Sequence, residues 1–539
     1  MQLFEMLKNP VYYPHKPKQI IVKETHASIV FIAKPYVYKF KKNVNFGFLD
    51  FSSLEKRFYY CIEEIRLNQR LCKEIYINLI KIYYKDNLLF FEDIFLDEEF
   101  LLNKKYKDLY NNIIKNINNE VEFGVKMHYI EEAYFLKNQQ ISISKLEKVA
   151  EVLAKFYQTQ KPIQEDYSRK NIEENLNDCK DFISYTISPL MYRFIKKFNQ
   201  TYFKKYHFKL KKRVENGWIK DCHGDLHLEH IVVKDDSICI YDCIEFNQEF
   251  RCIDVANDLA FLCMDLEFYG YYRESYYFIK YFYKKFYNYD LIFLQDLYRS
   301  YRAFVRGKVY SIKSRQDKSE EEKQKSVQLA EKYFRLSLKY ALFDIHPSIV
   351  VFMGRIGSGK STLARKFSEF FGINQYSSDA IRKSFFRIPL YDRTPEELKS
   401  IVYSKIITDL VYNKMIESAI QDSLKMGISV VDGVFGSRYL RNIALFRAFE
   451  ENVKIIFVEI ETKKEIILKR LEKRMNSKEI SDAGINEFLS FYDYYEPPYE
   501  IPLNQKIHLK IVKEREIDQI FHYLLKKILI HRFLFKHPY

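Results

Sequence analysis

Tryptophan occurs once and glycine only 14 times in 539 residues, and the chain has neither an internal repeat nor a low-complexity segment. Repeat architectures and wholesale disorder are thereby excluded. No uninterrupted apolar run reaches the ~18–20 residues needed to span a bilayer. The opening MQLFEMLKNPVYYPHKPK also lacks the apolar stretch of a signal peptide. These absences predict a soluble cytoplasmic protein with no membrane partner. The eight cysteines (Cys61, Cys72, Cys179, Cys222, Cys239, Cys243, Cys252, Cys263) contain no CxxC pair and lie in apolar or mixed runs, the pattern of core thiols in a reducing compartment.

Hydrophobic residues make up 47% and charged residues 29% of the chain, which describes a globular protein. A single core stops growing near ~250–300 residues, so two or three domains are expected. The 87 Lys+Arg against 72 Asp+Glu give a net charge of +15, which favours anionic ligands such as nucleotides. Tyr, Phe, Ile, Lys and Asn are all abundant, and this bias accounts for the charge better than a dedicated nucleic-acid surface does. The sequence does not specify an oligomeric state.

Residues 19–42 alternate apolar and polar side chains with many β-branched and aromatic residues, predicting short antiparallel strands. Helical periodicity follows at 52–71, 144–157 and 172–206. Between Trp218 and Asp242 an extended entry leads into the loop HGDLHLEH and then a hairpin, IVV and ICIYD, turning at 234–237. Further helices are expected at 254–310 and 320–342, with a charged exposed stretch at 314–326. From about residue 346 the pattern becomes strand–loop–helix, predicting a parallel sheet covered by helices. The fold expected is an α+β domain, a small antiparallel sheet lobe plus a helical lobe, over 1–345, followed by an α/β P-loop domain over 346–539. In the second domain, Thr394-Pro395-Glu396-Glu397 reads as the capped start of a helix that Gly427 ends.

Gly354-Arg355-Ile356-Gly357-Ser358-Gly359-Lys360-Ser361 fits GxxxxGK[ST] between the strand SIVVFM and a helix. In that context Gly354, Gly357, Ser358, Gly359, Lys360, Ser361 and Thr362 form the nucleotide-binding set. Backbone N–H groups and the helix N-terminus take the phosphates, Lys360 bridges them, and Ser361 ligates Mg²⁺. Asp432 at the end of ISVVD supplies a carboxylate that reaches the same Mg²⁺ through water. Asp379 with Arg382 three residues on resembles the P-loop kinases that phosphorylate hydroxyls, among them phage polynucleotide kinase and zeta-type toxins. The resemblance implies Asp379 as base and Arg382 as acceptor clamp; a helix N-cap is the competing reading of Asp379. Arg470 and Arg474, four apart on one helix, look like the lid arginines of small P-loop kinases, with a solvated basic helix as the alternative. Arg438 and Arg441 read as surface charge.

His223-Gly224-Asp225-Leu226-His227-Leu228-Glu229-His230 resembles the catalytic loop of aminoglycoside phosphotransferases and their protein-kinase-like relatives. Asp242 in ICIYD stands at that family's spacing from the loop. The resemblance implies Asp225 as base, Asp242 as metal ligand, and His230 where the family places an Asn ligand. It also implies Lys39 as the ATP-phosphate lysine paired with Glu64, with Lys41 and Glu63 as neighbouring alternatives. Segments on either side of this loop resemble a branch of the family often fused to a P-loop kinase or AAA-type ATP-binding domain, and Ser481-Asp482-Ala483 fits that partner. The stretch Glu24–Lys34 contains no glycine, unlike a glycine-rich nucleotide-covering loop.

Together these residues imply an ATP- and Mg²⁺-dependent phosphotransferase, bifunctional, with small-molecule hydroxyls as acceptors. One alternative is a P-loop kinase regulated by a degenerate ligand-sensing kinase-like domain. Another is 5′-hydroxyl polynucleotide kinase activity in the C-terminal domain. A transition-metal site in HLEH is a further reading of the three histidines, less economical than the kinase loop. Asp254 and Asp258 read either as supports of that loop or as cap and surface residues.

Overall fold

The computed structural model describes residues 2–85, 88–103, 106–115, 120–474 and 480–536. The chain divides into two compact units: Met1–Glu174, Tyr206–Asp265 and Tyr277–Ile292 form one, and Asn175–Lys205, Leu266–Tyr276 and Phe293–Tyr539 the other.

In the first unit the alternating segment near the start forms β1 (Ile21–Glu24), β2 (Ser28–Ala33) and β3 (Tyr36–Lys41). Strands β4 (Tyr76–Lys85), β5 (Leu88–Ile94) and β6 (Val121–His128) complete a six-stranded antiparallel sheet in the order β1-β2-β3-β6-β4-β5. Period-2 alternation gives each strand two faces. Phe31, Phe40, Ile80 and Ile82 pack with Leu7 and Tyr13, whereas Leu79, Phe123 and Val125 pack with Phe58, Ile62 and Ile65 of the helix Leu54–Asn68. That helix starts on Ser53, whose hydroxyl accepts from Lys56 N. Next come β7 (Ile219–Asp221), β8 (Ile231–Lys234), β9 (Ser237–Ile240) and β10 (Cys252–Asp254). β8 and β9 form the expected hairpin, and β10 pairs antiparallel with β7, so the strands on either side of the His223–His230 loop and hairpin are laid together.

In the second unit β11 (Ser348–Met353), β12 (Gln375–Ser377), β13 (Ile428–Asp432), β14 (Lys454–Thr462) and β15 (Lys506–Ile511) form a parallel sheet in the order β12-β13-β11-β14-β15. Every residue of β11 and β13 is buried, as a parallel sheet covered on both faces requires.

The helices Gln295–Ser314 and Glu320–Phe343 group with the parallel sheet. Phe343 packs edge-on against Phe367 and Phe371, and Asp296 is bound by Arg532 and Lys536, so long-range partners decide the grouping. Three expectations are corrected. The helix expected from Thr394 to Gly427 is two, Glu396–Val402 and Lys405–Met426, with Ser404 capping the second. Thr394 makes no cap; its hydroxyl donates to Asp482. Gly427 does end the second helix, at φ 77°. The segment 172–206 is likewise interrupted between Asp178 and Pro189. Finally, six cysteines are buried thiols, but Cys72 and Cys239 form a disulfide.

Among the described residues no helix is long and apolar enough to cross a membrane.

Candidate active sites

In the first unit β3 carries Lys39 and Lys41 on alternate residues toward the helix Leu54–Asn68. Lys39 Nζ lies 2.8 Å from Glu64 Oε1 and donates to Asp242 Oδ1 at 2.7 Å. Lys41 Nζ donates to Glu64 Oε2 at 2.8 Å and to Glu245. Glu64 is thus shared by two lysines, while Glu63 binds Arg66 and Tyr106 instead. Burial disfavours the charged Lys39 amine, but Asp242 and Glu64 outweigh it and hold its pKa well above the ordinary value. Burial likewise opposes ionisation of Asp242, yet Lys39 and His230 keep its carboxyl below the usual range.

The loop His223–His230 hangs on buried acids of the following helix, Val255–Phe268. Asp258 accepts from His223 N (3.0 Å), Gly224 N (2.8 Å) and the Tyr157 hydroxyl (2.8 Å), and Asp265 accepts from Leu228 N (2.9 Å). Asp254 binds Arg213 through two oxygens. Both Asp254 and Asp258 are fully buried, so the surface reading of each is corrected. This loop sets Asp225 between two imidazoles: His227 Nε2 is 3.4 Å and His230 Nδ1 3.6 Å from Asp225 Oδ2. His230 Nε2 in turn lies 3.4 Å from Asp242 Oδ2. Asp225, His230, Asp242, Lys39 and Glu64 are therefore brought into one chain of contacts. Burial, reinforced by His227, lowers the His230 pKa to about 4, so the ring is neutral at pH 7.

In the second unit the chain leaves β11 at Met353 and loops into the helix Lys360–Phe371. Gly354 has φ +148°, and a Cβ there would lie 2.5 Å from the Ile460 carbonyl oxygen, so only glycine fits. The Ser358 carbonyl accepts from Thr462 Oγ1 and Arg470 Nη1, both at 3.0 Å, which ties the loop to the strand and helix that follow it. Arg470 thus touches the loop; burial lowers its pKa. The side chain of Arg474 lies outside the described residues.

Asp432 ends β13 beside the Ser361 hydroxyl and within the field of Lys360, and its Oδ2 accepts from Gln375 Nε2 (3.5 Å); burial raises its pKa. Its buried Oδ1 has no hydrogen-bond partner in the protein. A lone buried carboxylate oxygen beside a hydroxyl suits a hard divalent cation, so Ser361 and Asp432 fit the Mg²⁺ expected there.

Two cavities meet at this point. One, of about 380 Å³, is walled by Gly357, Gly359, Thr362, Arg365 and Arg470. The other, of about 700 Å³, is walled by Arg355, Tyr403, Tyr412, Asp482, Tyr492 and Tyr495. Lys360, Ser361, Asp379 and Asp432 line both. Arg382 also borders the larger cavity, but Nη1 donates to Val402 O (2.7 Å) and Thr408 Oγ1 (3.2 Å), so part of its guanidinium anchors the helix Ser378–Phe385.

Sequence reasoning missed several residues. Arg441 is fully buried and binds Glu500 and the carbonyls of Phe435 and Glu496, correcting its reading as surface charge. Glu245 and Asp482 are buried acids each held by a lysine, Lys41 and Lys383 respectively. An acid within an apolar stretch, as in CIEF, was the signal available for Glu245.

Residues 349–498 match the family model described as AAA domain. Uncharacterized proteins of Mycobacterium tuberculosis and Mycobacterium bovis are 26% identical over 513 residues, covering 93% of this chain and 95% of each relative. Among solved structures, a gluconokinase from Sinorhizobium meliloti is similar over 35% of this chain and 95% of its own (18% identity, TM-score 0.26). A choline kinase from Cryptosporidium parvum is similar over 63% of this chain and 94% of its own (11% identity, TM-score 0.37).

Proposed function

We propose that the chain is an ATP-dependent phosphotransferase with two sites, one within residues 1–345 and one within 346–539, each acting on a hydroxyl of a small-molecule acceptor. The observation that carries this reading is the meeting of two cavities at Lys360, Ser361, Asp379 and Asp432. A phosphate-binding loop walls the smaller cavity, and the larger one leaves room for an acceptor on the other side of the same four side chains. MgATP supplies the γ-phosphoryl group and a metal that neutralises its charge.

In this reading the loop amides and Lys360 hold the phosphates, and Ser361 with Asp432 holds the metal. Asp379 takes the proton of the acceptor hydroxyl as the new O–P bond forms and the bond to the β-phosphate oxygen breaks, releasing ADP. Arg382 fixes the helix that carries Asp379 and borders the acceptor, and Arg470, on the wall of the smaller cavity, neutralises charge on the transferred group. In the first unit Asp225 takes the corresponding proton, Lys39 oriented by Glu64 holds phosphate, and Asp242 with His230 binds metal. A metabolite extract incubated with labelled ATP tests this. Wild-type protein is expected to yield labelled products, part of which disappears with Lys360→Ala and part with Asp225→Ala. An unlabelled extract with folded wild type would overturn the reading.

One observation favours a second reading of the first unit, as a ligand sensor: Lys39 already binds Asp242 at 2.7 Å, occupying the carboxylate assigned to the metal. Calorimetry on Lys360→Ala protein separates the two, since a transferase retains MgATP binding at the remaining site and a sensor need not.

A further inference from the structure

The loop of the first unit assembles more nitrogen than a magnesium site calls for. His230 Nδ1 lies 2.9 Å from the backbone carbonyl oxygen of Asp225. A carbonyl only accepts, so Nδ1 carries the proton and Nε2 presents its lone pair. That lone pair faces Asp242 Oδ2 at 3.4 Å, while the other carboxylate oxygen is taken by Lys39. Two acceptors directed at each other are satisfied by a proton or a metal cation between them. A ring N–H donated to a backbone carbonyl is also how metal-binding imidazoles are oriented. On the near side His227 Nε2 lies 3.4 Å from Asp225 Oδ2, and the His227 and His230 rings are 3.9 Å apart. Asp225, His227 and His230 each offer a ligand atom, all within 4.8 Å of one another.

We propose that Asp225, His227 and His230, with Asp242 beside them, bind a divalent transition metal such as Zn²⁺, Mn²⁺ or Co²⁺ rather than Mg²⁺. Imidazole is a good ligand for these ions and a poor one for hard, octahedral Mg²⁺. The inference goes beyond the phosphotransfer reading, which asks only for the nucleotide's metal at Asp242 and His230, because it adds Asp225 and His227 as ligands and requires no nucleotide.

The test is a titration of untagged, metal-stripped full-length protein with Co²⁺ in the absence of nucleotide, followed by its visible absorption bands. One equivalent is expected to bind with the spectrum of a nitrogen-ligated ion, and a tenfold excess of Mg²⁺ is expected not to displace it. His227→Gln and His230→Asn are each expected to weaken binding by about tenfold or more. No visible bands, displacement by Mg²⁺ at equal concentration, or bands that survive loss of both imidazoles would overturn the proposal. The wild-type competition decides the matter even if a histidine variant does not fold. ATP affinity is measured alongside: its absence with Co²⁺ binding intact ends the phosphotransfer reading and leaves this one standing.

Discussion

At the scale of single residues, burial sets the energetics. Lys339 is nearly fully buried in the helix Glu320–Phe343, its amine without a hydrogen-bond partner and flanked by the rings of Tyr272 and Tyr340. Burial lowers its pKa from 10.5 to about 8. Between those values the unfolded chain binds more protons than the folded one, so this group makes stability rise with pH across the window and exacts its full cost below it. Lys339→Met is therefore expected to stabilise the protein at pH 7 by about 1–3 kcal/mol. The gain should shrink toward pH 10, as read from urea midpoints of the two proteins at each pH. A gain independent of pH would show that packing, not charge, dominates at this position. Gly354 poses a steric case: with its hypothetical Cβ 2.5 Å from a backbone oxygen, Gly354→Ala must move either the loop or β14. ATP affinity of the second site should fall by at least about tenfold, roughly 1.4 kcal/mol, as measured by calorimetry in an Asp225→Ala background.

At the scale of elements, the His223–His230 loop of the first unit holds its shape through a helix rather than through its own turns. Asp258 accepts from two loop amides and a tyrosine at once. Asp258→Ala leaves three buried donors unsatisfied, at about 1–3 kcal/mol each before relaxation. It should lower stability by about 3 kcal/mol and abolish transfer at Asp225 while transfer at Lys360 persists, in assays below the new melting temperature. Retained transfer at Asp225 would show that the loop is rigid without this support. Such elements were legible to different degrees. The strand–loop–helix around Gly354–Ser361 and the β8–β9 hairpin are specified by neighbours in the chain, so local pattern sufficed. Thr394 was misread because its partner Asp482 is 88 positions away, and Cys72 because Cys239 lies 167 positions on. The pairing of Lys39 with Glu64, and not Glu63, was open in the sequence. It is decided by which face of one helix turns toward β3, where Glu63 meets Arg66 and Tyr106.

At the scale of the whole molecule, the two candidate sites have no residue in common, and each lies within one compact unit. Effects at sites that share no partners add, whereas coupled sites depart from additivity. If both units transfer phosphate independently, the labelled product formed by the wild type should equal the sum of what Asp225→Asn and Lys360→Ala form separately, and the double variant should fall to background. Asp225→Asn keeps the size of the side chain and removes its basicity, so a loss there reports proton abstraction and not a collapsed loop. A sensor in the first unit gives a different outcome: Lys360→Ala alone removes all transfer, and occupation of the first unit changes the rate at the second. Reciprocity then requires that nucleotide bound at Lys360 change the ligand affinity of the first unit by the same factor. Measuring transfer by each single variant and the double variant at one ATP concentration therefore tells two enzymes apart from one regulated enzyme, whatever the acceptors are.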